Sequence, residues 1–281
     1  MSTPTAEPVE AEEYLARIGW AEGDRPAPGR DTLVRLQEAH LTAVPFENLD
    51  IHLGRPIALD EGSILHKLVR ERRGGFCYEL NSAFAWLLRT LGFGVELLEA
   101  RVALDSQRYG APFDHLVLRV DVEGEPWQAD VGFGDHAVRP FPMADGVEHR
   151  EGGRSWRWVA RRPGFLDLDL RRPDADWFPD HRLSLLAHRL DAFGPRCAWQ
   201  QRAPDSNFTA GPVCTRLLTG GGRVTLADDL LITTAADGTR TYHELRTDGE
   251  VLAAYRDRFG LVLPRRPDRA GKRAAPSAGA G

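Results

Sequence analysis

The chain has 281 residues, of which 42% are hydrophobic, so it can bury a real core and form one large domain or two or three small ones. Its 41 acidic and 36 basic residues give a net charge of −5, with both signs scattered except in a basic C-terminal tail. The acidic N-terminus lacks the apolar segment of a signal peptide, and no run approaches the roughly 18 apolar residues of a membrane span. We therefore expect a cytoplasmic globular protein with no nucleic-acid partner and no membrane partner.

The cysteines are three in number, widely spaced, and contain no C-x-x-C pair: Cys77, Cys197 and Cys214. An odd, dispersed set argues against a disulfide framework and against a structural zinc site. We expect free thiols and no metal.

The first third of the chain has apolar residues at helical spacing, with Gly and Pro between the stretches. Its clearest helix begins near Cys77 and stops at Gly92. The apolar positions that define this helix lie at i, i+4, i+7, i+8 and i+11, namely Leu80, Phe84, Leu87, Leu88 and Leu91. Residues 1–92 are thus predicted to form a helical domain.

After Gly92 the apolar period changes to two, which is typical of strands. The strands do not alternate with long helices, so an antiparallel sheet or barrel over residues 93–200 is favoured over a doubly wound parallel sheet. A strand pair at 223–226 and 230–233, followed by a helix near Glu250, predicts a third, α/β region over 201–263. The remaining residues, 264–281, are rich in Pro, Gly, Ala and Arg and are predicted to be disordered. The fold class is therefore α+β.

Cys77 stands shortly after a flexible Gly74-Gly75 pair, with Phe76 between them, in the first turn of the predicted helix. Unpaired N–H groups and a partial positive charge at a helix N-terminus favour a thiolate over a thiol. A nucleophile on a tight turn that enters a helix recurs in covalent catalysis. The competing interpretation is that Cys77 is a small buried hydrophobic residue, as most lone cysteines are.

A thiolate nucleophile needs an imidazole, and the imidazole is commonly oriented by a carboxylate. His115 lies in a predicted strand, and Asp130 closes the next strand after a turn at Glu123-Gly124. Antiparallel pairing of these strands would bring the two side chains close together, although a histidine in a strand is more often structural. The remaining candidates are expected to be surface or structural residues: His40, His52, His66 and His136. The Gly132–Gly134 stretch lacks the third glycine of a dinucleotide loop and is weak evidence for a phosphate site.

Several motifs in order resemble the arylamine N-acetyltransferase family. They are YLARIG at Tyr14, PFENLDI at Pro45, RRGGFCYELN at Arg72, HLVLRV at His115, DVGFG at Asp130, APDSNFT at Ala203 and VC at Val213. The resemblance spans roughly residues 14–263. The motifs around Cys77 and Asp130 are highly specific together, and the C-terminal ones are looser.

The resemblance implies a helical first domain, a central antiparallel β-barrel and a C-terminal α/β lid, with a papain- or transglutaminase-like catalytic core. It implies a catalytic triad of Cys77, His115 and Asp130. Cys77 would take the acetyl group from acetyl-CoA as a thioester and pass it to an arylamine, arylhydroxylamine or hydrazine, with no metal.

The resemblance also assigns binding residues. Phe46, Phe133 and Phe208 would line the acceptor pocket, although each also fits a plain core position. Backbone N–H groups near Gly132, Gly134, Ser206 and Thr209 would bind the coenzyme pyrophosphate, in a cleft between barrel and third domain. Glu47 and Arg72 match a structural ion pair near the nucleophile.

Three alternatives stay open. An amide synthase of the same family would move a polyketide chain, supplied by an acyl carrier protein or polyketide synthase, through Cys77 to an aryl amine and close a macrolactam. A hydrolase or transglutaminase would use the same triad with a different nucleophile to resolve the thioester. A non-catalytic binding protein would have no need for Cys, His and Asp together.

Overall fold

The computed structural model describes residues 8–20 and 25–269, which form two compact units. The first unit consists of the described parts of Met1–Phe46 and Ala58–Arg196, and the second of the described parts of Glu47–Ile57 and Cys197–Gly281. The division at 92, 200 and 263 stays a prediction. Of the tail predicted to be disordered, residues 270–281 lie outside the described residues. Within the described remainder, Arg265 forms an ion pair with Asp268 at 2.9 Å.

The helices of the first unit precede its sheet, as the apolar spacing predicts. The most buried of them carries Cys77 at its first position and has its apolar positions at 0–6% exposure as far as Leu91. A single turn of π-helix, His66–Arg70, continues the fourth helix of the chain. The helices are α1 (Ala11–Arg17), α2 (Arg30–Ala43), α4 (Glu61–Leu65) and α5 (Cys77–Thr90).

The sheet of the first unit has eight strands, and every described pairing in it is antiparallel. Its spatial order is β5-β4-β3-β2-β9-β8-β7-β6. The strands are β2 (Gly94–Val102), β3 (His115–Val122), β4 (Glu125–Ala129), β5 (Phe141–Pro142), β6 (Glu148–Glu151), β7 (Arg154–Arg162), β8 (Phe165–Arg171) and β9 (Phe178–His188).

The two edge strands of this sheet approach each other, so the sheet is a nearly closed barrel. Phe141 in β5 stacks on His149 in β6 with ring centroids 4.7 Å apart. The interior contains an apolar cluster that includes fully buried Trp156 and Trp158. The predicted α+β class with an antiparallel barrel is confirmed.

The second unit combines a small antiparallel sheet with helix α7 (Asp248–Phe259). Val251, Tyr255 and Phe259 of this helix share a buried cluster with Cys214. Gly260 ends the helix in the left-handed region at φ 72°. The sheet contains β10 (Val213–Leu217), β11 (Arg223–Ala227), β12 (Leu230–Thr234) and β13 (Arg240–Glu244), with Glu47 of the two-residue β1 (Phe46–Glu47) at the β10 edge.

Two further helices complete the second unit. Helix α3 (Leu49–Leu53) lies wholly within it, and α6 (Gly194–Arg202) enters it at Cys197. Among the described residues no helix is both long enough and apolar enough to span a bilayer.

Candidate active site

Cys77 is held at the start of α5 by a tight set of contacts around the glycine pair. Gly75 forms a parallel β-bridge with Phe46. A side chain at Gly75 would place its Cβ only 2.7 Å from a carboxylate oxygen of Glu79, so only glycine fits there. Glu79 in turn accepts a hydrogen bond from the Phe76 N–H and an ion pair from Lys67 at 2.7 Å. Cys77, the candidate nucleophile, therefore lies in a helix first turn that is fixed by backbone and side-chain contacts.

His115 opens β3, and Asp130 directly follows β4. Leu118 pairs with Ala129 across these strands, so Asp130 comes opposite Val117 and lies diagonally from His115 rather than directly across. The diagonal still brings the side chains together, because both lie on the same face of the sheet. The Nε2 atom of His115 donates a hydrogen bond to Oδ2 of Asp130 at a distance of 2.7 Å.

Cys77 also interacts with this imidazole, and its sulfur favours the protonated ring. All three side chains are almost completely buried. Burial alone would lower the pKa of His115, but the charge and hydrogen bond of Asp130, together with Cys77, raise that pKa to about 10. Burial likewise opposes ionisation of Asp130, and His115 outweighs it and lowers the pKa of Asp130 to about 2. His115 is therefore an imidazolium at neutral pH.

Two buried amides that sequence reasoning missed hold Asp130 in place. Asn81 donates to Asp130 Oδ1 at 2.8 Å and to the Leu116 carbonyl, and its own oxygen accepts from the Val131 N–H. Gln37 accepts from the Asp130 N–H at 3.1 Å. Asn81 could have been found, because it lies four residues after Cys77 on the same helix face; Gln37 has no comparable signal.

Gly132 lets the strand carrying Asp130 approach the helix carrying Cys77. A Cβ at this position would lie 2.7 Å from the Cα of Cys77 and 2.8 Å from Nδ2 of Asn81. Such distances are far inside van der Waals contact, and the Cys77 atom is backbone that cannot rotate away. Gly132, which is predicted to bind coenzyme, thus has a packing function that fixes the position of Cys77.

The three predicted pocket phenylalanines have different environments, and each is partly exposed. Phe133 lies against His115, with its ring edge-on to the imidazole at a centroid distance of 5.0 Å. The backbone of Phe46 forms a β-bridge with Gly75, which lies two residues before Cys77. Phe208 belongs to the second unit, where Asn48 and His52 both bind its carbonyl. Their role as a pocket stays a prediction.

The predicted coenzyme residues Ser206 and Thr209 both use their hydroxyls within a short turn of the second unit. Ser206 bonds Gln200 and accepts from the Phe208 N–H, and Thr209 donates to the carbonyl oxygens of Ala203 and Ser206. Gly134 of the first unit adopts φ 90°, which favours glycine. A coenzyme contact of these residues or of Gly132 stays a prediction.

The ion pair expected between Glu47 and Arg72 stays a prediction, and the two neighbouring arginines differ in burial. Arg72 is exposed and has a left-handed φ of 52°, whereas Arg73 is the buried arginine, with 3% of its surface exposed. The positive φ reverses the chain before the glycine pair and turns the next side chain inward.

The histidines expected to be surface or structural divide into both classes. His66 is exposed by about half, and His40 is a core residue that contacts the Tyr14 hydroxyl at 3.0 Å. His136 is buried and belongs to a second cluster with Asp180 and His181 inside the barrel. That cluster has no counterpart among the sequence-based predictions.

Comparison with known proteins places this geometry in one family. The N-acetyltransferase family model matches residues 31–268. The arylamine N-acetyltransferase of Escherichia coli is 34% identical over 216 residues, which cover 76% of this chain and 75% of the relative. The solved arylamine N-acetyltransferase of Salmonella typhimurium superposes with a TM-score of 0.82 at 29% identity, covering 89% of this chain and 90% of the other. That of Mycobacterium marinum in complex with CoA gives 0.79 at 28% identity, covering 90% and 93%. This chain therefore belongs to the arylamine N-acetyltransferase family.

Proposed function

We propose that this protein transfers the acetyl group of acetyl-CoA to an aromatic amine, arylhydroxylamine or hydrazine through a thioester on Cys77. The observation that carries the proposal is the buried, hydrogen-bonded series Cys77, His115, Asp130, with 2.7 Å between the imidazole and the carboxylate. Members of the family are acetyltransferases, and the M. marinum relative was solved with CoA.

In the first half-reaction the Cys77 thiolate attacks the acetyl carbonyl and forms the C–S bond of the acetyl-enzyme. The carbon–sulfur bond to coenzyme A breaks, and the imidazolium of His115 gives its proton to the departing thiolate. The raised pKa of His115 keeps that proton available at neutral pH. Asp130 stabilises the charged ring and fixes its tautomer.

In the second half-reaction the amine nitrogen attacks the thioester carbonyl, and His115, now neutral, accepts the amine proton. The Cys77–acetyl bond breaks, the thiolate returns beside the imidazolium, and the N-acetylated product leaves. Phe133, edge-on to His115, offers an aromatic surface next to the reacting atoms. We assign the acceptor pocket to Phe46, Phe133 and Phe208, the coenzyme contacts to Gly132, Gly134, Ser206 and Thr209, and the protein to the cytoplasm.

The test is the intact mass of the protein after mixing with acetyl-CoA in the absence of an amine. We expect wild type to become heavier by one acetyl group, Cys77→Ser to stay unmodified, and an aniline to discharge the adduct as N-acetylaniline. Double-reciprocal plots should then give parallel lines, the signature of ping-pong transfer.

Other outcomes of this experiment contradict the proposal. Rapid loss of the acetyl group to water would identify a hydrolase. Failure of acetyl-CoA to load, while a longer acyl thioester loads and passes to an aryl amine, would identify an amide synthase. Failure of every acyl thioester to load would remove all three catalytic functions.

A further inference from the structure

A second polar cluster lies inside the barrel of the first unit, separate from the triad. Three potential ligand atoms, one each from His136, Asp180 and His181, lie within 4.8 Å of one another. Nδ1 of His181 is 2.9 Å from Oδ2 of Asp180, and Nε2 of His136 is 3.5 Å from the same oxygen. One carboxylate oxygen therefore faces two imidazoles.

A β-bulge builds this arrangement. Neighbouring residues in a regular strand point to opposite faces of the sheet, so Asp180 and His181 should not share one site. In β9, however, His181 pairs with Leu168 while Pro179 pairs with Asp169, which leaves Asp180 as an extra residue. Such an insertion redirects a side chain locally, and here the Asp180 carboxylate reaches the His181 ring.

The two separations from Asp180 are compatible with a tetrahedral metal ion. Zinc bonds of about 2.0–2.2 Å to nitrogen and oxygen imply ligand-to-ligand separations of about 3.3 Å in a tetrahedron. The two separations measured from Asp180 bracket that value. Two imidazoles and one carboxylate are also a donor set typical of zinc sites with a fourth, open position.

His136 supplies an independent indication. Its side chain is only 4% exposed, and its Nε2 is directed at Asp180 over a long ion-pair contact of 3.5 Å that does not form a well-aligned hydrogen bond. A buried imidazole nitrogen held only by so long a contact would be better satisfied by a ligand between it and the carboxylate. The Asp180 side chain is 10% exposed, so the carboxylate is the least buried member of the cluster.

We propose that His136, Asp180 and His181 bind one divalent transition-metal ion, with Zn²⁺ as the expected species. The site adjoins the acyl-transfer centre, because Phe133 packs on both His136 and His115 at centroid distances of 5.1 and 5.0 Å. Occupancy would therefore restrain the aromatic ring that borders the nucleophile. This inference is independent of the proposed acetyl transfer.

The test uses the full chain carrying Cys77→Ser, since the wild-type thiolate and His115 could themselves bind a soft metal. Equilibrium dialysis with Zn²⁺ should give one bound equivalent. His136→Gln and His181→Gln should each weaken binding at least about tenfold, the scale at which even supporting residues of metal sites act. His149→Gln is the matched control, because His149 is also a barrel histidine beside a carboxylate, Glu151 at 3.2 Å, and should bind as before.

A gain of signal guards against variants that merely misfold. In the same background, His136→Cys should add a thiolate-to-cobalt charge-transfer band when the protein is titrated with Co²⁺, which requires residue 136 to be a ligand. The proposal is wrong if no Zn²⁺ binds, if folded His136→Gln binds Zn²⁺ as tightly as its parent, if His115→Gln or His149→Gln abolishes binding, or if the cobalt band is absent.

Discussion

The barrel holds two buried histidine–aspartate arrangements that differ in what surrounds them. Asp130 serves one imidazole, and that imidazole also bonds Cys77. Asp180 is shared by two imidazoles. Asp130 and Cys77 raise the pKa of His115. At His181, burial and the like charges of His136 and His115 lower the pKa even though Asp180 acts in the opposite direction. A buried carboxylate thus does not by itself raise the pKa of an imidazole. The raised pKa occurs where one imidazole has the carboxylate to itself and a cysteine beside it.

The largest expected effect is at Cys77, the proposed nucleophile. It lies beside the His115–Asp130 pair, and the Asp180 cluster has no cysteine of this kind among its described contacts. All three cysteines are buried, Cys77 at 2%, Cys197 at 1% and Cys214 at 0% exposure, so burial does not distinguish them. Cys77→Ser should abolish acetylation of anilines by acetyl-CoA, and Cys197→Ser should retain it. Peptide mapping after brief iodoacetamide treatment near neutral pH should find label at residue 77 first. Equal labelling of all three thiols would contradict an activated Cys77.

The second effect compares the two carboxylates directly. Asp130→Asn should keep the fold but lower kcat/KM about 10⁴-fold, as removal of the orienting aspartate does in triads generally. Asp180→Asn should lose far less, because its imidazoles lack a cysteine. Steady-state kinetics on protein shown to be folded by circular dichroism measures both. Similar losses for the two variants would mean that Asp130 is only structural.

The third effect concerns the close approach that joins the first arrangement to Cys77. Gly132→Ala introduces a Cβ at 2.7 Å from the Cys77 backbone, which must move to admit it. A displacement near 1 Å between reacting groups costs about 10²-fold in rate, and we expect that order of loss in kcat. Gly194→Ala is the control, since a Cβ there meets no atom within 4 Å. An unimpaired Gly132→Ala enzyme would show that the strand and helix can separate without consequence.

The smallest effect is the pH dependence of stability. Because the pKa of His115 is raised in the folded protein, its protonated ring stabilises the fold fully below the ordinary pKa of 6.5. This stabilisation is lost as pH rises through about 10. Because the pKa of Asp130 is lowered in the folded protein, its carboxylate stabilises the fold above the ordinary pKa of 3.8. This stabilisation is lost as pH falls through about 2. The free energy of unfolding should therefore differ most between wild type and Asp130→Asn at about pH 5, by about 3 kcal/mol.

Urea unfolding at about pH 5, 7 and 9 should show this difference shrinking, because residue 115 loses its proton in the unfolded chain as pH rises above 6.5 while the folded wild type retains it. A difference that stays constant over that pH range would mean that Asp130 does not stabilise the protonated form of His115. Asp180→Asn provides the comparison, because the pKa of His181 is lowered rather than raised and the same decline is not expected there.

Much of the fold was predictable because its elements follow simple periods. The i, i+4, i+7 spacing after Cys77 located α5, and Gly260 located the end of α7. The longest described strand, β9, has no strand pattern in the sequence, because Pro179, Asp180, His181 and Arg182 interrupt any alternation. Those charges are tolerated in the barrel through cross-strand pairing, as between Arg182 and Asp167 at 2.7 Å, and through the bulge. Neither pairing nor a bulge leaves a periodic signal in the sequence.

The sequence by itself determined the placement of Cys77 at a helix start, the strands that carry His115 and Asp130, and the motifs of the family. Those features depend on local propensity and spacing, which neighbouring residues encode. Tertiary structure alone decided the diagonal contact of His115 with Asp130, the support from Gln37, the burial of Arg73 in place of Arg72, and the meeting of His136 with Asp180 and His181. These contacts join residues 15 to 93 positions apart or depend on a bulge or a single positive φ, and strand register and chain reversal are fixed only when the whole core packs.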